Sequence, residues 1–482
     1  MAVLENVEPK KVFQFFEEIC RIPHGTFDTK RISDYCVSFA KERGLEVIQD
    51  EVNNVIIKKP GTAGYEDCEP VILQGHIDMV CEKTADSAHD FKTDGLELYI
   101  EDGYLKAKDT TLGGDDGIAV AMAMAILDSD DIPHPPIEAL FTVDEEVGMG
   151  GADAVDLSLL RGRKLINMDS ETEGILTTGC AGGIRYEVSL PIRKEKVSGD
   201  KITIRVHGLL GGHSGMEIHK QRGNASKMMG RLLYRLAKEV PFHLVCINGG
   251  TKDNVITPDA AAEILVEPGK EQEVLAVVDE MKKIWTDEFM GEEPGLQADA
   301  AVSQGAGCEA MDQDSTKHVI AYLLLCPNGC QEYSRKIEGV VETSLNLGIL
   351  ETKEDCVRMI HQIRSSVETR KYQLQEQLEQ CVKAVGGEGT ITNEYPAWQY
   401  DPDSGLRQIM ADTYKELYGK EPVIAVIHAG LECGLFLGKR PDLDCVSFGP
   451  DVTDVHSVNE ALNLASTQRV WEHLKAILKN CR

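Results

Sequence analysis

The chain has no long apolar run and a shortage of positive charge. No stretch approaches the roughly 18 consecutive apolar residues of a membrane-spanning helix. Its 50 lysines and arginines face 80 aspartates and glutamates, so the formal net charge is -30 at pH 7. Nucleic-acid phosphates and anionic lipid surfaces repel such a charge, whereas cationic or amine-bearing ligands are favoured. We therefore expect neither a nucleic-acid nor a membrane partner.

Closely spaced cysteines are also absent. The fourteen cysteines are scattered along the chain, and the nearest two, Cys326 and Cys330, do not form a CxxC pair. The spacing therefore indicates neither a small disulfide framework nor one cysteine marked as a nucleophile. The N-terminal residues mix acidic side chains among apolar ones and contain no cleavable signal segment. Reduced thiols and a cytoplasmic location are the expectation.

Familiar glycine motifs are present only in incomplete form. The stretch GHSGM at 212–216 has Met216 where the serine-hydrolase pattern G-x-S-x-G needs its last glycine. The stretch GMGGAD has Asp153 in place of the third glycine of a dinucleotide-binding fingerprint, and no Walker pattern occurs. These reaction classes are therefore disfavoured.

Length and composition indicate a folded protein with two domains. At 482 residues the chain exceeds the usual size of one hydrophobic core. Hydrophobic residues make up 42% of the chain and charged residues 27%, which are ordinary values for globular proteins. Extensive disorder is therefore not expected.

The most informative segment is an acidic pair at the end of an apolar strand, FTVDEEVGMGG at 141–151. Glu145 and Glu146 are neighbours, so their side chains point in different directions. One carboxylate is then free to bind a metal while the other stands over the bound water. In a chain with 80 acidic residues, a solvated acidic loop is the better interpretation if the pair stands alone.

Other apolar runs deliver further ligand-type side chains. The run VILQGHIDMV carries His76 and Asp78, two positions apart and on one side of an extended chain. Asp115 lies between a glycine turn and an apolar segment of helical length, while Asp169 and His456 follow the runs KLINM and CVSF. An open α/β sheet places ligands in this way, at the carboxyl ends of its strands. The predicted fold class is α/β, with a mixed, largely parallel sheet flanked by helices.

The pattern of elements changes inside the chain. After Gly183, blocks of strand, helix, strand, strand and helix predict an α+β insert, which includes a helix over 354–385. Because His456 must meet the earlier candidates if they share a metal, the insert interrupts one discontinuous domain. The predicted domains are 1–183 together with 393–482, and the insert 184–392.

Seven motifs together resemble a known family. In chain order they are GHIDMV, GGDDG, TVDEEVG, NMDSE, GGHSG, HAGLECG and VHSVNE. Over nearly the whole chain they resemble the di-zinc metallopeptidase family of aminoacylases and carboxypeptidases, and within it the aminoacyl-histidine (Xaa-His, carnosinase-type) dipeptidases. The resemblance implies a di-zinc peptidase catalytic domain interrupted by an α+β lid and dimerisation domain.

The resemblance also implies a set of metal ligands. His76 and Asp169 would hold one zinc ion, Glu146 and His456 would hold the other, and Asp115 would bridge both. Three protein ligands per ion leave a position open for water, and imidazole and carboxylate groups suit zinc, with Co²⁺ or Mn²⁺ as alternatives. Two ions about 3.5–4 Å apart can share a hydroxide and bind a carbonyl oxygen of the substrate.

Two residues beside these ligands are implied to act in catalysis. Asp78 would orient His76 through its other ring nitrogen. Glu145 would be the general base that takes the proton of the attacking water and hands it to the leaving amine. Two neighbours stay outside the predicted site: Asp116 is interpreted as a helix cap or loop-bonding residue, and Asp144 as a turn-fixing residue.

The resemblance extends to substrate-binding residues. His213, in a glycine-rich turn, would stabilise the oxyanion, from the same subunit or from the other subunit of a homodimer. By spacing alone, a histidine that only bonds its own loop is nearly as good an interpretation. Asn254 would donate to the same oxygen, and Arg364 would bind the terminal carboxylate of the substrate. His428 and Gly430 would line the substrate side.

The predicted function is metal-dependent hydrolysis of dipeptides with a free amino end, of the Xaa-His or β-Ala-His type. A broader dipeptidase or tripeptidase, or an N-acyl amino acid hydrolase, would use the same metal centre. From a different class, a non-catalytic metal-binding scaffold or sensor is the alternative. The sequence leaves the side-chain preference, the native metal, the oligomeric state and the open or closed state of the lid undecided.

Overall fold

The computed structural model describes residues 3–482, apart from the side chains of residues 304–306. The chain forms two compact units. The first unit comprises Met1–Gly179, Tyr400–Val426 and Leu431–Arg482, and the second comprises Cys180–Gln399 with Ile427–Gly430. The boundaries expected from the sequence, after 183 and after 392, differ from these by four and seven residues, and the segment Ile427–Gly430 was expected in the first unit. The lid and dimerisation roles stay a prediction.

The chain contains both helices and strands along its whole described length. The helices are α1 (Lys10–Cys20), α2 (Lys30–Glu42), α3 (Gly114–Asp128), α4 (Gly150–Ala154), α5 (Ala225–Ala237), α6 (Glu271–Phe289), α7 (Gln313–Leu325), α8 (Glu368–Ala384), α9 (Gly405–Tyr418), α10 (Glu432–Lys439) and α11 (Leu464–Asn480). The strands are β1 (Glu46–Gln49), β2 (Val55–Lys59), β3 (Val71–His76), β4 (Leu98–Glu101), β5 (Tyr104–Ala107), β6 (Ile137–Thr142), β7 (Lys164–Asn167), β8 (Ile175–Cys180), β9 (Gly182–Pro191), β10 (Lys194–His207), β11 (Phe242–Gly249), β12 (Ala260–Val266), β13 (Gln297–Met311), β14 (Gly329–Tyr333), β15 (Val341–Thr352), β16 (Cys356–Ser365), β17 (Glu388–Tyr395), β18 (Val423–Ile427), β19 (Asp444–Ser447), β20 (Val452–Thr453) and β21 (Ala461–Asn463).

The main sheet of the first unit has a parallel centre. Its strand order is β1-β2-β6-β3-β7-β19-β8-β18. The neighbours β6, β3, β7 and β19 pair in parallel, whereas β1, β2 and β8 pair antiparallel at the flanks. Every residue of β3 and β6 is buried, as expected for central strands covered on both faces. The predicted α/β class with a mixed sheet is confirmed.

Helix α3 is the buried helix of this unit. From Ile118 to Leu127 each of its residues is apolar and buried, and a helix that is hydrophobic all round belongs in a core. It joins one apolar cluster with residues of α1, β3, β6 and α11. A small sheet with the strand order β20-β21-β5-β4 completes the unit.

The second unit is an antiparallel sheet with helices packed on it. Its strand order is β13-β10-β12-β11-β15-β16-β9-β17, and β14 pairs with β15. Alternate residues such as Ile202, Ile204 and Val206 of β10 are fully buried and share an apolar cluster with helices α5 to α8. This is the α+β arrangement predicted for the insert.

One predicted helix is wrong. The sequence analysis expected a helix over 354–385, but the structure has strand β16 first and helix α8 after it. Strand β16 pairs along its length with both β15 and β9. Pairing with the preceding strand β15 and with the distant strand β9 decided the conformation of this segment, because local pattern does not distinguish a short apolar strand from a buried helix.

Among the residues that the structure describes, no helix combines the length and the apolar character needed to cross a bilayer.

Candidate metal centre and substrate-binding residues

Three central strands of the first unit end beside one another in a row of ligand-type side chains. Strand β3 ends at His76, strand β6 is followed by Glu145 and Glu146, and strand β7 is followed by Asp169. Because β6, β3 and β7 are parallel neighbours, their carboxyl ends lie at the same edge of the sheet. This edge is the candidate metal centre.

Asp115 lies between two imidazoles. Its Oδ1 is 3.0 Å from Nε2 of His76, and its Oδ2 is 3.2 Å from Nε2 of His456. His456 is in turn 2.8 Å from Oε2 of Glu146, and His76 is 3.6 Å from Oδ1 of Asp169. The structure thus brings together all five predicted ligands, arranged as two groups that share one carboxylate.

The donor set fits a pair of cations. Two groups of three residues offer ligand atoms within 4.8 Å of one another: His76 with Asp116 and Asp169, and His76 with Asp115 and Glu146. Both groups contain His76 and neither contains His456, which joins the cluster through its contacts with Asp115 and Glu146 at 3.2 and 2.8 Å. Oε1 of Glu146 is buried and has no hydrogen-bond partner among the described residues, as expected for an oxygen that a cation would satisfy. Imidazole nitrogen and carboxylate oxygen are donors that suit zinc.

The electrostatics of this cluster favour a bound cation. Burial raises the pKa of Asp169 well above its usual range. Hydrogen bonds with Asp115 and Glu146 raise the pKa of His456 to about 11. Burial disfavours charge on His76, but hydrogen bonds with its carboxylate neighbours, Asp115 first, hold its pKa well above the usual value. The cluster therefore holds protons where metal ions would supply the positive charge.

Asp116, next to Asp115 in the chain, contacts the backbone of strand β3. Its Oδ2 accepts the backbone N–H of His76 at 3.2 Å. A Cβ added at Gly75 would lie 2.5 Å from that oxygen, so a glycine is needed at this approach. The contact is with a strand and not with the helix start or a loop, so the predicted role of Asp116 as a helix cap or loop-bonding residue stays a prediction. Its place among the clustered ligand atoms keeps it an alternative to Asp115.

Asp78 links the end of β3 to the loop after β6. Its Oδ1 accepts the backbone N–H of Glu145 at 3.1 Å, and its Oδ2 accepts the hydroxyl of Thr26 at 2.9 Å. Nδ1 of His76 lies 3.5 Å from Oδ1 of Asp78 and 3.0 Å from the backbone oxygen of the same residue. Asp78 therefore contacts both His76 and the backbone of the predicted base.

The loop after β6 carries Glu145 into a buried position. Burial raises the pKa of the Glu145 carboxyl to about 8. The preceding residue, Asp144, has a positive φ of 54° and accepts the backbone N–H of Phe27 at 2.8 Å. Asp144 thus fixes a turn, as interpreted from the sequence.

Sequence reasoning missed a buried carboxyl group next to the centre. Glu432, the first residue of α10, is 1% exposed. Its Oε2 accepts from Nε2 of Gln74 at 2.6 Å and from the hydroxyl of Thr142 at 3.0 Å, and its Oε1 is buried without a partner. Burial raises the pKa of this carboxyl to about 7. The motif HAGLECG contains this residue, but nothing local distinguishes it from a helix-start glutamate.

His213, in the second unit, has a defined tautomer. Its Nδ1 accepts the backbone N–H groups of Gly215 and Met216 at 3.2 and 3.0 Å. Burial lowers the pKa of the ring, so the neutral form carries its proton on Nε2. Ser214 donates its backbone N–H to the backbone oxygen of Asn254, which ties Asn254 to the same turn. Nε2 of His213 is thus a hydrogen-bond donor, as an oxyanion site requires.

Arg364 and His428 are buried in the second unit. Arg364 is on strand β16 rather than on the expected helix; its Nη1 donates to the Tyr395 hydroxyl at 2.8 Å, and its Nε is buried without a partner. Nε2 of His428 lies 2.7 Å from the Ser344 hydroxyl. Burial, followed by the charge of Arg364, lowers the pKa of His428 to about 3. Gly430 belongs to the same short segment, Ile427–Gly430, as His428.

The chain matches a protein family and is similar to known proteins. The model of the family described as Peptidase family M20/M25/M40 matches residues 72–480. A protein of Escherichia coli (strain K12) named cytosol non-specific dipeptidase is 38% identical over 483 residues, which is 99% of this chain and 99% of that protein.

Solved structures have the same fold. The aminoacylhistidine dipeptidase from Vibrio alginolyticus superposes with a TM-score of 0.94 and 37% sequence identity, covering 99% of this chain and 98% of that one. The aminopeptidase PepT from Bacillus cereus has a TM-score of 0.56 at 15% identity, covering 98% of this chain and 99% of that one, which is a likeness of fold alone.

Proposed function

This chain belongs to the peptidase family M20/M25/M40, and we propose that it is a dipeptidase that works with two zinc ions. The observation that carries the proposal is Asp115, whose two oxygens lie 3.0 and 3.2 Å from the imidazoles of His76 and His456. A carboxylate in this position would hold two cations at once. Asp169 completes the group around His76, and Glu146 the group around His456.

The residues around the proposed ions have different roles in peptide hydrolysis. Two zinc ions bound here would polarise the peptide carbonyl and lower the pKa of water. Glu145 accepts the proton of the water whose oxygen attacks the carbonyl carbon, and it delivers that proton to the amine nitrogen as the C–N bond breaks. A nearby cation favours the charged form of Glu145, which is the form that accepts a proton. Asp78 holds His76 and the backbone of Glu145 in place.

The second unit supplies the groups that bind the substrate. Nε2 of His213 donates to the oxyanion, and Asn254 donates to the same oxygen. The Arg364 guanidinium, whose Nε has no partner, binds the terminal carboxylate of the dipeptide. His428 and Gly430 line the substrate side. The same unit forms the interface of a homodimer, and the protein works in the cytoplasm.

The substrates are dipeptides with a free amino end, with Xaa-His and β-Ala-His preferred. The relative from Vibrio alginolyticus is named an aminoacylhistidine dipeptidase, and the one from Escherichia coli a non-specific dipeptidase. These two names define the competing specificities, histidine at the second position or broad acceptance.

A substrate panel with and without metal tests the proposal. We expect hydrolysis of β-Ala-His and other dipeptides that is lost on chelation and restored by Zn²⁺, with Co²⁺ and Mn²⁺ as comparison ions. Tripeptides and N-acyl amino acids in the same panel separate the related specificities. Activity that persists after metal removal would contradict the metal-dependent mechanism. Metal binding with no hydrolysis of any substrate would instead assign a non-catalytic scaffold or sensor.

A further inference from the structure

One buried glutamate holds the turn that leads to Asp115. Glu460 is 3% exposed. Its Oε2 accepts the backbone N–H groups of Leu112 at 2.8 Å and Gly113 at 3.1 Å. Its Oε1 accepts those of Gly114 at 2.7 Å and Asp115 at 3.4 Å. Four consecutive N–H groups therefore converge on one carboxylate, as in a backbone anion nest.

The turn has the glycines that this approach needs. Gly113 has a φ of 67°, in the left-handed region that favours glycine. A Cβ added at Gly114 would lie 3.2 Å from Oε1 of Glu460, closer than an ordinary contact. The pair Gly113-Gly114 thus lets the amides of the turn face the carboxylate directly.

Glu460 shares a loop with a proposed ligand. The loop connects β20 to β21, two strands that pair with each other, and β21 pairs with β5. Within it, His456 contacts Oδ2 of Asp115, and four residues later Glu460 accepts the backbone N–H of the same aspartate. One loop therefore holds Asp115 at both its side chain and its backbone.

We propose that Glu460 is a positioning residue that aims Asp115 at both metal ions. Zinc to carboxylate bonds are about 2.0–2.2 Å long, so a bridging carboxylate must be placed correctly for two ions at once. Releasing the turn displaces both oxygens together, and both ions lose affinity. The inference rests on the proposed metal centre, but not on which substrate is hydrolysed.

The test is metal binding by the full-length Glu460→Gln variant. Glutamine keeps the volume and one acceptor oxygen, but it removes the charge and presents an NH₂ group to backbone donors. The metal-free protein is titrated with Zn²⁺ against a chromophoric chelator, and with Co²⁺ while the visible absorption is followed. Changes around metal ligands typically cost about 10- to 100-fold in affinity, and we expect a loss of this size for both ions. The Co²⁺ spectrum changes because the bridge is displaced.

Glu138 provides a matched control. It is 2% exposed, and its carboxylate accepts the backbone N–H groups of Arg161 and Gly162 at 2.8 and 2.9 Å, near the start of β6 and away from the metal end. Glu138→Gln therefore removes the same kind of bond without touching the Asp115 turn. We expect it to lower the unfolding temperature and to leave both metal affinities within twofold of the parent.

The outcomes separate positioning from general stability. Two-ion binding by Glu460→Gln within twofold of the parent, or an equal loss in Glu138→Gln, overturns the proposal. Glu460→Asp, which keeps the charge on a shorter arm, gives an intermediate affinity if Glu460 positions the turn. If neither Glu460 variant folds while Glu138→Gln does, Glu460 serves stability alone and the proposal fails. A parent protein that binds two ions but hydrolyses no dipeptide contradicts the proposed function only.

Discussion

At the scale of single residues, Asp115 is the side chain on which the proposed metal centre depends. Each of its oxygens faces a different imidazole, so one residue serves both halves of the centre. Glu146 lies 2.8 Å from His456, and its ligand atom is also within 4.8 Å of those of His76 and Asp115. In the proposed assignment, Asp115 would bind both ions and Glu146 only the ion held by His456.

This difference predicts that replacing each carboxylate by its uncharged amide changes the metal affinities unequally. Asp115→Asn removes the charge and one acceptor oxygen from the bridge, so the affinities of both ions fall. Glu146→Gln weakens mainly the ion held by His456. Zinc titration of the metal-free variants measures both effects. Loss of one ion only in Asp115→Asn would contradict the bridging role.

Glu145 is proposed to be the general base, and measurements of metal binding do not test that role. Glu145→Gln keeps the size of the side chain but removes the base, so we expect both ions to stay bound while kcat falls by about 10²- to 10⁴-fold. Metal analysis and dipeptide hydrolysis are measured on the same preparation. Glu51→Gln, at an exposed position of the same unit, is the control and keeps the parent rate. A Glu145→Gln rate within a few-fold of the parent would show that another group is the base.

At the scale of elements, the metal centre depends on how closely strand β3 and helix α3 approach. Gly75 of β3 faces α3 so closely that an added Cβ would lie 2.5 Å from Oδ2 of Asp116 and 2.9 Å from Cβ of Ala119. The strand that carries His76 and the segment that carries Asp115 are therefore packed without room for another methyl group.

Gly75→Ala is expected to lower the free energy of unfolding by about 1–3 kcal/mol, the usual cost of overpacking a core. Urea unfolding of the metal-free protein measures it. Gly405→Ala is the matched control, because the nearest atom to its added Cβ is Oδ2 of Asp444 at 3.8 Å. Alanine in helix α9 is expected to be neutral or to stabilise by up to about 1 kcal/mol. Equal stability of the two variants would contradict the close packing.

At the scale of the whole molecule, buried neutral histidines connect folding to pH. His473 of α11 is 2% exposed, and its Nε2 donates to the backbone oxygen of Met410 at 2.9 Å. Burial lowers its pKa to about 4. In the unfolded chain a histidine titrates near 6.5, so between these values the unfolded state binds more protons than the folded state. The contribution of His473 to stability is therefore lost as the pH falls from about 6.5 towards 4.

His473→Gln tests this linkage, because glutamine can donate the same hydrogen bond but does not titrate. We expect the parent to lose stability faster than the variant between pH 7 and pH 5, by up to about 1.4 kcal/mol per pH unit below 6.5. Urea unfolding at several pH values gives the two slopes. Parallel slopes would contradict the prediction, because they would show that His473 binds protons equally in the folded and unfolded states over this range.

The sequence by itself determined the class of the fold and the candidate ligands. His76, Glu146 and Asp169 each end or closely follow a short apolar strand. This pattern can be recognised in the sequence because strands that are buried on both faces are continuously apolar. The family resemblance rests on the same segments, and the family match confirms it.

Only the tertiary structure decided the conformation around Arg364 and the contacts of Glu432 and Glu460. Strand β16 is extended because it forms a hairpin with β15, from which three residues separate it, and pairs on its other side with β9, which lies far away in sequence. Glu432 and Glu460 look like solvated acids in an acid-rich chain, yet both are buried against strands or turns hundreds of residues away. Burial and hydrogen-bond partners of a carboxylate are set by chain segments distant in sequence, so no local pattern specifies them.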